Sequence, residues 1–287
     1  MSLEASELIL NPDGSIYHLA IRREHVAPTI ILVGDPSRVC RVSRHFDELE
    51  ANIEKREFHT HVGRIGSKRF SVISTGIGTD NIDIVLNELD ALVNIDPDNR
   101  RLRPQLQSLD LVRFGTSGSL QLDIPVDSFV LSSWGLGLDA LMHWYGSIPV
   151  SDTLLQQALQ EQFTDFPIKP YLIKGSAELE ALFPQNYHRG ITATCSGFYA
   201  PQGRQLRLVP RVKDLADRLT AFRSGPHLIS NFEMETAGIY GLAALMGHRA
   251  LSASAILANR PAGTFSSDPY ATIDRLIEKS LEILSDS

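Results

Sequence analysis

Apolar residues follow two different patterns along this chain. Six short runs are almost continuously apolar, and each predicts a buried strand: residues 29–33, 70–74, 109–114, 128–131, 190–194 and 250–257. In three other stretches the apolar residues recur every three or four positions, which predicts helices with one buried face. Because strands alternate with helices, the pattern favours a layered α/β fold.

The helical stretches carry signals for where they begin or end. Their apolar positions lie within residues 82–93, 238–246 and 273–284. Asp80 or Asn81 is the expected N-cap of the first helix, because short polar side chains accept hydrogen bonds from the free N–H groups there. Gly247 is the expected end of the second helix, because glycine tolerates the left-handed conformation that closes a helix.

Composition bounds the domain organisation. The chain has 287 residues, of which 43% are hydrophobic and 21% are charged, which is typical of a globular protein with a large core. No linker-like run divides the chain, so we expect a single domain over residues 1–287. The polar stretch from Asn94 to Ser108 contains two prolines and is predicted to be a surface insertion.

Charge and cysteine content exclude several classes of function. The net charge of −7 argues against general binding to nucleic acids or to membrane surfaces. Two cysteines do not make a disulfide framework, and the N-terminal residues lack the features of a signal peptide, so we expect a cytoplasmic protein. His59 and His61 alternate on a strand-like run, but no metal-binding spacing of His or Cys accompanies them, and no metal site is predicted.

Two glycine-containing segments with an arginine are the first candidates for chemistry. GDPSR, residues 34–38, follows the first predicted strand, and RFGTSG, residues 113–118, follows the third. Ligands of α/β folds bind where strands end, and glycine N–H groups with a guanidinium suit the oxygens of an anion. Neither segment is a nucleotide-binding motif, so we expect two turns that converge on a small oxyanion such as phosphate. A surface turn with an exposed Arg38 is the alternative for the first segment.

A pair of acidic residues lies near the start of the second predicted helix. Glu233 and Glu235 flank Met234 in the segment FEMET. A carboxylate there could accept hydrogen bonds from two ribose hydroxyls while the methionine packs on the sugar ring. The alternative is compensation of the helix dipole, which explains one glutamate more easily than two.

The segment FYAPQGR, residues 198–204, carries groups suited to a planar base. Gln202 offers a donor and an acceptor, Arg204 offers donors, and Phe198 offers a stacking face. A polar surface loop is the alternative interpretation of this segment. Taken together with the two preceding sites, these residues suggest a phosphate, a ribose and a base, which are the substrate groups of nucleoside phosphorolysis.

The order of these motifs resembles the nucleoside phosphorylase-I superfamily, and most closely the uridine phosphorylases. The similarity extends from Tyr17 to Arg260 and includes GDPSR, REF (residues 56–58), STGIG (residues 74–78), RFGTSG, FYAPQGR and FEMET. The resemblance implies a single three-layer α/β/α domain with a central mixed β-sheet. It also implies a pentosyltransferase of nucleoside salvage that converts uridine and phosphate to uracil and ribose 1-phosphate. No cofactor is expected. Phosphate takes part as a co-substrate.

The resemblance further implies roles for twelve residues. The phosphate-binding residues are Gly34, Arg38, Arg56, Arg113 and Thr116. The ribose-binding residues are His18, Glu233, Met234 and Glu235. The base-binding residues are Phe198, Gln202 and Arg204. Those expected to act in catalysis are Arg113, Gln202, Arg204 and Glu235.

The resemblance also bears on partners. Arg56 and His18 would come from a neighbouring subunit, in a homodimer or in a hexamer built of dimers. Some relatives bind a monovalent cation at positions that match Glu57, Ile77 and Asn81. The last position is usually a serine, so no such ion is predicted.

Three alternatives remain at this stage. A purine nucleoside phosphorylase of the same fold typically places an aspartate after the late strand, whereas Ala258, Asn259 and Arg260 follow the predicted strand here. A nucleosidase would use water and would not need the arginine set. A nucleoside- or phosphate-binding protein without turnover would use the same groups. The choice among uridine, deoxyuridine and thymidine stays open.

Overall fold

Strands that are buried on both faces form the centre of the fold. The computed structural model of the protein describes residues 2–146 and 152–287. Within these residues the strands are β1 (Thr29–Val33), β2 (Glu48–Lys55), β3 (Phe58–Ile65), β4 (Lys68–Ser74), β5 (Ile95–Asp96), β6 (Arg101–Leu102), β7 (Asp110–Ser119), β8 (Phe129–Leu138), β9 (Tyr171–Lys174), β10 (His188–Cys195), β11 (Arg223–Ser224), β12 (His227–Glu233), β13 (Arg249–Asn259) and β14 (Thr264–Phe265). The α-helices are α1 (Pro36–Ser43), α2 (Thr79–Asn94), α3 (Thr153–Gln162), α4 (Ala177–Leu182), α5 (Leu215–Ala221), α6 (Thr236–Met246) and α7 (Pro269–Asp286).

A mixed sheet connects twelve of these strands, ten of them in the order β11-β12-β10-β8-β13-β7-β1-β4-β3-β2. β1 pairs in parallel with both β4 and β7, and β7 pairs in parallel with β13. β2 and β3 add an antiparallel edge. β12 also pairs with β7, through Asn231 opposite Ser119. The five paired strands β12, β10, β8, β13 and β7 therefore form a closed ring. The sheet is therefore open at the β2 edge and barrel-like at its other side.

Helices cover both faces of the sheet. Ile30 and Leu32 of β1 belong to a core that also contains the buried sides of α2 and α6. Ile31 and Val33 point the other way, into a core shared with α1 and α7. Because β1 is buried on both faces, its sequence is a continuous apolar run and not an alternating one. The predicted three-layer α/β/α arrangement around a central mixed sheet is confirmed.

All six predicted strands are present, and β1 has the predicted bounds. α6 is closed by Gly247, whose φ of +77° is the left-handed conformation expected there. The predicted N-cap of α2 is wrong. This helix begins at Thr79 and its N-cap is Gly78, with a φ of +100°, so Asp80 and Asn81 lie inside the first turn. Glycine serves at this cap because the chain turns through a conformation that other residues rarely adopt.

The stretch from Asn94 to Ser108 leaves the sheet as a small excursion. After α2, β5 and β6 form a two-stranded antiparallel hairpin on which Leu102 is largely exposed. The Asn94 side chain donates to the carbonyl oxygen of Gln107 at 3.2 Å and accepts from its N–H at 2.7 Å, which ties the two ends of the excursion together. None of the helices in the described part of the chain combines the length and apolar character that crossing a lipid bilayer requires.

Candidate active site

A cavity of about 770 Å³ opens at the edge of the sheet where β1, β4, β10 and β12 end. Ligand sites of α/β folds lie at this edge, because loops from neighbouring strands converge there. Ten of the twelve residues predicted for the site line the cavity: Gly34, Arg38, Arg113, Thr116, Phe198, Gln202, Arg204, Glu233, Met234 and Glu235. The fold thus brings together segments that are far apart in the sequence.

The segment GDPSR connects β1 to α1. Asp35 is the N-cap of α1 and accepts a hydrogen bond from the N–H of Ser37 at 2.9 Å. This cap places Arg38 in the first turn of the helix, where its Nη1 donates to the carbonyl oxygen of Phe114 at 3.2 Å. Burial and the neighbouring Arg113 lower the pKa of Arg38 to about 10, so its guanidinium stays protonated at neutral pH. Arg38 is therefore a half-buried cation at the cavity wall and not a freely exposed surface arginine.

The segment RFGTSG is not a turn, and that prediction is wrong. β7 continues through it to Ser119, so Arg113 lies in the middle of the strand and not at its end. The glycine at position 115 has a steric reason. A Cβ on Gly115 would lie 1.6 Å from Nη1 of Arg113, because the guanidinium folds back across this position. Gly115 therefore gives the Arg113 side chain the room to reach the cavity.

Arg113 is held by two glutamates. Its Nη2 donates a hydrogen bond to Oε2 of Glu235 and lies 3.3 Å from Oε2 of Glu233, and all three side chains are buried. Burial works to lower the pKa of Arg113, but Glu235 and Glu233 outweigh it and raise this pKa above its ordinary value. Nη1 of Arg113 has no hydrogen-bond partner in the described part of the chain. A buried donor without a partner is rare, so the fold leaves the hydrogen-bonding capacity of this atom unused.

Glu233 is occupied by the start of α6. It ends β12 and accepts hydrogen bonds from Oγ1 of Thr194 at 2.7 Å and from the N–H groups of Glu235 and Thr236, each at 3.0 Å. These contacts satisfy the free N–H groups of the helix terminus, which matches the helix-terminus interpretation for this glutamate. Glu235 is the N-cap residue itself, but its side chain points away from the helix and accepts from the N–H of Gly78 at 2.8 Å. Burial raises the pKa of Glu235, and Arg113 opposes that shift.

The other end of the cavity is formed by aromatic and polar groups. The guanidinium of Arg204 lies 3.7 Å from the centre of the Phe198 ring and 5.6 Å from that of Phe232. Nη1 of Arg204 donates to Oε1 of Gln202 at 2.5 Å, which leaves the amide nitrogen of Gln202 as the free donor of that side chain. Burial and the neighbouring Arg260 lower the pKa of Arg204. Arg204 and Gln202 are thus held together as a pair of hydrogen-bond donors beside the Phe198 and Phe232 rings.

His18 and Arg56 do not line the cavity of their own chain. Nδ1 of His18 lies 2.6 Å from Oε1 of Glu88, on α2. Arg56 lies in the two-residue turn between β2 and β3, with a φ of +57°. Both side chains approach the Tyr17 ring, His18 with ring centres 4.7 Å apart and Arg56 at 5.7 Å. The two residues therefore share one surface outside the cavity.

Several lining residues had no predicted role. Phe232 precedes the predicted glutamate pair, and its burial beside the base end of the cavity could have been inferred from the FEMET motif. Phe265, on β14, reaches the cavity although it is largely exposed. It lies in a polar loop with no sequence signal, and only the pairing of β14 with the end of β13 brings it there. Glu57, Ile77 and Asn81, for which no ion is predicted, also line the cavity.

Known proteins match most of this chain. Residues 28–286 match the family described as the phosphorylase superfamily. The chain belongs to this superfamily. The uridine phosphorylase of Thermococcus kodakarensis is 28% identical over 277 residues, which cover 96% of this chain and 88% of that protein. The uridine phosphorylase of Escherichia coli is 26% identical over 252 residues, or 85% of this chain and 86% of that protein.

A solved structure extends the similarity to three dimensions. The crystal structure of a Trypanosoma brucei nucleoside phosphorylase, described as showing uridine phosphorylase activity, superposes with a TM-score of 0.88. It is 26% identical and the match covers 98% of this chain and 100% of that chain. The similarity therefore extends over almost the whole of both chains, and it is not limited to a common core.

Proposed function

We propose that the protein catalyses the phosphorolysis of a pyrimidine nucleoside, in which uridine and phosphate give uracil and ribose 1-phosphate. The observation that carries this proposal is one cavity in which an arginine pair, a carboxylate and a glutamine–arginine pair face the same space. Relatives named uridine phosphorylase match most of the chain and support the same activity. The reaction belongs to nucleoside salvage, and phosphate is the co-substrate.

Phosphate binds at the end of the cavity formed by Arg38, Arg113 and Thr116. The unpartnered Nη1 of Arg113 supplies a buried donor, and Arg38 supplies a second cation. Gly34 supports the same assignment. A Cβ on Gly34 would meet only the carbonyl oxygen of Gly76, at the ordinary contact distance of 3.5 Å, so the fold itself does not require glycine there. Close approach of an anion to the backbone gives this glycine its reason.

Ribose binds between the two ends of the cavity. Glu235 accepts hydrogen bonds from the ribose hydroxyls with the lone pairs that Gly78 and Arg113 leave free, and Met234 packs against the sugar. Glu233 acts on the ribose only indirectly, because its own oxygens hold the start of α6. Glu235 thereby connects the two substrates, since the same carboxylate contacts Arg113 and the sugar.

The base end of the cavity stabilises the leaving group. As the bond between C1′ and N1 of uracil breaks, its electron pair stays on the ring and negative charge spreads to the carbonyl oxygens. The amide nitrogen of Gln202 and the guanidinium of Arg204 donate to that charge, while Phe198 packs on the base. Donors already held in position contribute most where charge develops in the transition state. No side chain acts as a nucleophile in this reaction.

Phosphate then completes the reaction. One of its oxygens forms a bond to C1′, which carries positive charge as the glycosidic bond breaks, and the product is ribose 1-phosphate. The uracil anion takes up a proton and leaves as the neutral base. Holding phosphate and nucleoside in line removes much of the entropic barrier of a two-substrate reaction.

The charges that line the cavity support a site shared between subunits. Within one chain, three arginines (Arg38, Arg113 and Arg204) line it together with four acids (Asp35, Glu57, Glu233 and Glu235), so the lining does not favour an anion by charge alone. A further cation from outside the chain would change this balance. Arg56 and His18 lie on one surface near Tyr17, and we infer that they complete the phosphate and ribose sites of a neighbouring subunit in a homodimer or a hexamer of dimers.

The end of β13 favours a pyrimidine over a purine. Asn259 donates to the carbonyl oxygens of Gln121 and Ile124 at 2.8 and 2.9 Å, so its side chain is committed to the backbone. The next residue is Arg260, whose guanidinium lies 5.6 Å from the centre of the Phe232 ring at the base end of the cavity. This segment offers no carboxylic acid to protonate a purine.

Dependence on phosphate tests the proposal. The protein is incubated with uridine in phosphate-free buffer, phosphate is then added, and uracil is measured by chromatography. We expect release of uracil only after the addition. Equal release in both conditions would identify a hydrolase, and faster cleavage of inosine than of uridine would identify a purine enzyme.

A further inference from the structure

A cysteine and two histidines meet outside the candidate active site. Cys40 lies on α1, and His59 and His61 lie two residues apart on β3, so they project from the same face of the strand. Each side chain offers one ligand atom, and these atoms all lie within 4.8 Å of one another. None of the three residues lines the cavity described above. The spacing along the sequence does not predict this cluster, because the cysteine comes from a different element.

Each histidine ring is anchored through one nitrogen. Nδ1 of His61 lies 2.7 Å from Oγ of Ser43, and Nε2 of His59 lies 2.9 Å from Oδ1 of Asn52 and 3.1 Å from Oε1 of Glu54. The rings meet edge to face with centres 4.5 Å apart. Metal-binding histidines are usually oriented in this way, by a hydrogen bond from the nitrogen that does not face the metal. The second nitrogen of each ring is then available as a ligand.

His61 provides independent evidence for a ligand. Its side chain is buried, with 5% of the residue exposed, and Nε2 has no hydrogen-bond partner among the residues that the structure describes. A buried polar atom without a partner costs free energy, so it calls for a group that occupies it. Cys40 is exposed, and its Sγ already lies within 4.8 Å of a ring nitrogen of each histidine.

We propose that Cys40, His59 and His61 bind one Zn²⁺ ion per chain, with water as the fourth ligand. Thiolate and imidazole are the donors that zinc prefers, and calcium or magnesium would require oxygen ligands. Zinc bonds of about 2.0–2.3 Å place tetrahedral ligand atoms about 3.3–3.7 Å apart, so the cluster contracts by about 1 Å on binding. The ion joins α1 to β3, and it uses none of the groups assigned to phosphate, ribose or base. A result against the zinc site would therefore not bear on the proposed function, and a result against the proposed function would not bear on the zinc site.

The test is a calorimetric titration of chelator-treated, full-length protein with zinc chloride in phosphate-free buffer. We expect one zinc per chain and a rise in the melting temperature, since the ion binds the folded state. Cys40→Ser and His61→Asn should each weaken binding by more than about 100-fold, and Ser43→Ala, which removes only the anchor of His61, by about 10–100-fold. His188→Asn, a histidine exchange outside the cluster, is the matched control and should bind zinc as the wild type does.

A cobalt chloride titration gives a second readout. A thiolate-to-cobalt charge-transfer band should appear with the wild type and be lost in Cys40→Ser, whose far-ultraviolet circular dichroism without metal should match the wild type because Cys40 is exposed. Absence of zinc binding by the wild type would overturn the proposal. So would equal zinc affinity in Cys40→Ser and the wild type, or a cobalt spectrum without the thiolate band.

Discussion

Exchange of Gly115 for alanine tests the buried contacts of Arg113 with Glu233 and Glu235 in the candidate site. A Cβ at this position would lie 1.6 Å from Nη1 and 2.5 Å from Cζ of Arg113. Ordinary non-bonded contacts between heavy atoms are about 3.5–4.0 Å, so the guanidinium must move by about 2 Å. That displacement breaks its contacts with Glu233 and Glu235, and the two carboxylates remain buried without their cation.

The size of the effect follows from these contacts. Removing one partner from a buried ion pair costs about 3–5 kcal/mol of folding free energy. Since about 1 kcal/mol corresponds to roughly 2–4 °C in a chain of this size, we expect Gly115→Ala to lower the melting temperature by about 6–20 °C. A catalytic group misplaced by about 1 Å can cost about 100-fold in rate, so kcat/KM for uridine should fall by roughly that factor or more. Backbone entropy alone predicts the opposite sign, a gain of about 0.4–1 kcal/mol.

Thermal unfolding and steady-state kinetics of Gly115→Ala decide between these expectations. Gly118→Ala is the matched control for stability, because it lies in the same strand and its Cβ would meet its nearest neighbour, the Phe232 ring, at 3.7 Å. That variant should melt at or slightly above the wild-type temperature. If Gly115→Ala were as stable and as active as the wild type, the Arg113 side chain would not lie across position 115, and its pairing with the two glutamates would be refuted.

Three further predictions concern the remaining groups of the site. Arg204→Ala should lower kcat/KM for uridine by two or more orders of magnitude, because loss of a donor to developing charge costs about 2.7–4 kcal/mol; full activity of the folded variant would show that it does not contact the base. Glu235→Gln should lose more activity on uridine than on 2′-deoxyuridine, which has one hydroxyl fewer, and equal losses would argue against ribose recognition. Mixed Arg38→Ala and Arg56→Ala chains should regain part of the wild-type activity after subunit exchange, because one site of each heterodimer then has both arginines. Heterodimers confirmed by mass spectrometry but without recovered activity would place the site within one chain.

Local patterns predicted the parts of the fold that local physics decides. β1 was predicted with the observed bounds because burial on both faces leaves a continuous apolar run. The end of α6 at Gly247 was predicted because a left-handed residue closes the helix. Most of the candidate site was brought together as expected, since motifs at the ends of neighbouring strands converge at one edge of the sheet.

The sequence could not predict features that depend on distant contacts. Gly115 was interpreted as a turn glycine, and only the path of the Arg113 side chain explains its place inside β7. Arg56 adopts a left-handed φ in a hairpin turn, a position for which arginine carries no signal. The cluster of Cys40 with His59 and His61 requires the packing of α1 against β3, which no spacing along the chain encodes.

The fate of the sugar tests the central claim most directly. The protein is incubated with uridine and limiting phosphate, uracil is quantified by chromatography, and the phosphorus products are followed by ³¹P nuclear magnetic resonance. Phosphorolysis predicts that ribose 1-phosphate appears and inorganic phosphate disappears in a one-to-one ratio with uracil. Release of uracil with inorganic phosphate unchanged and free ribose as the product would contradict the assignment.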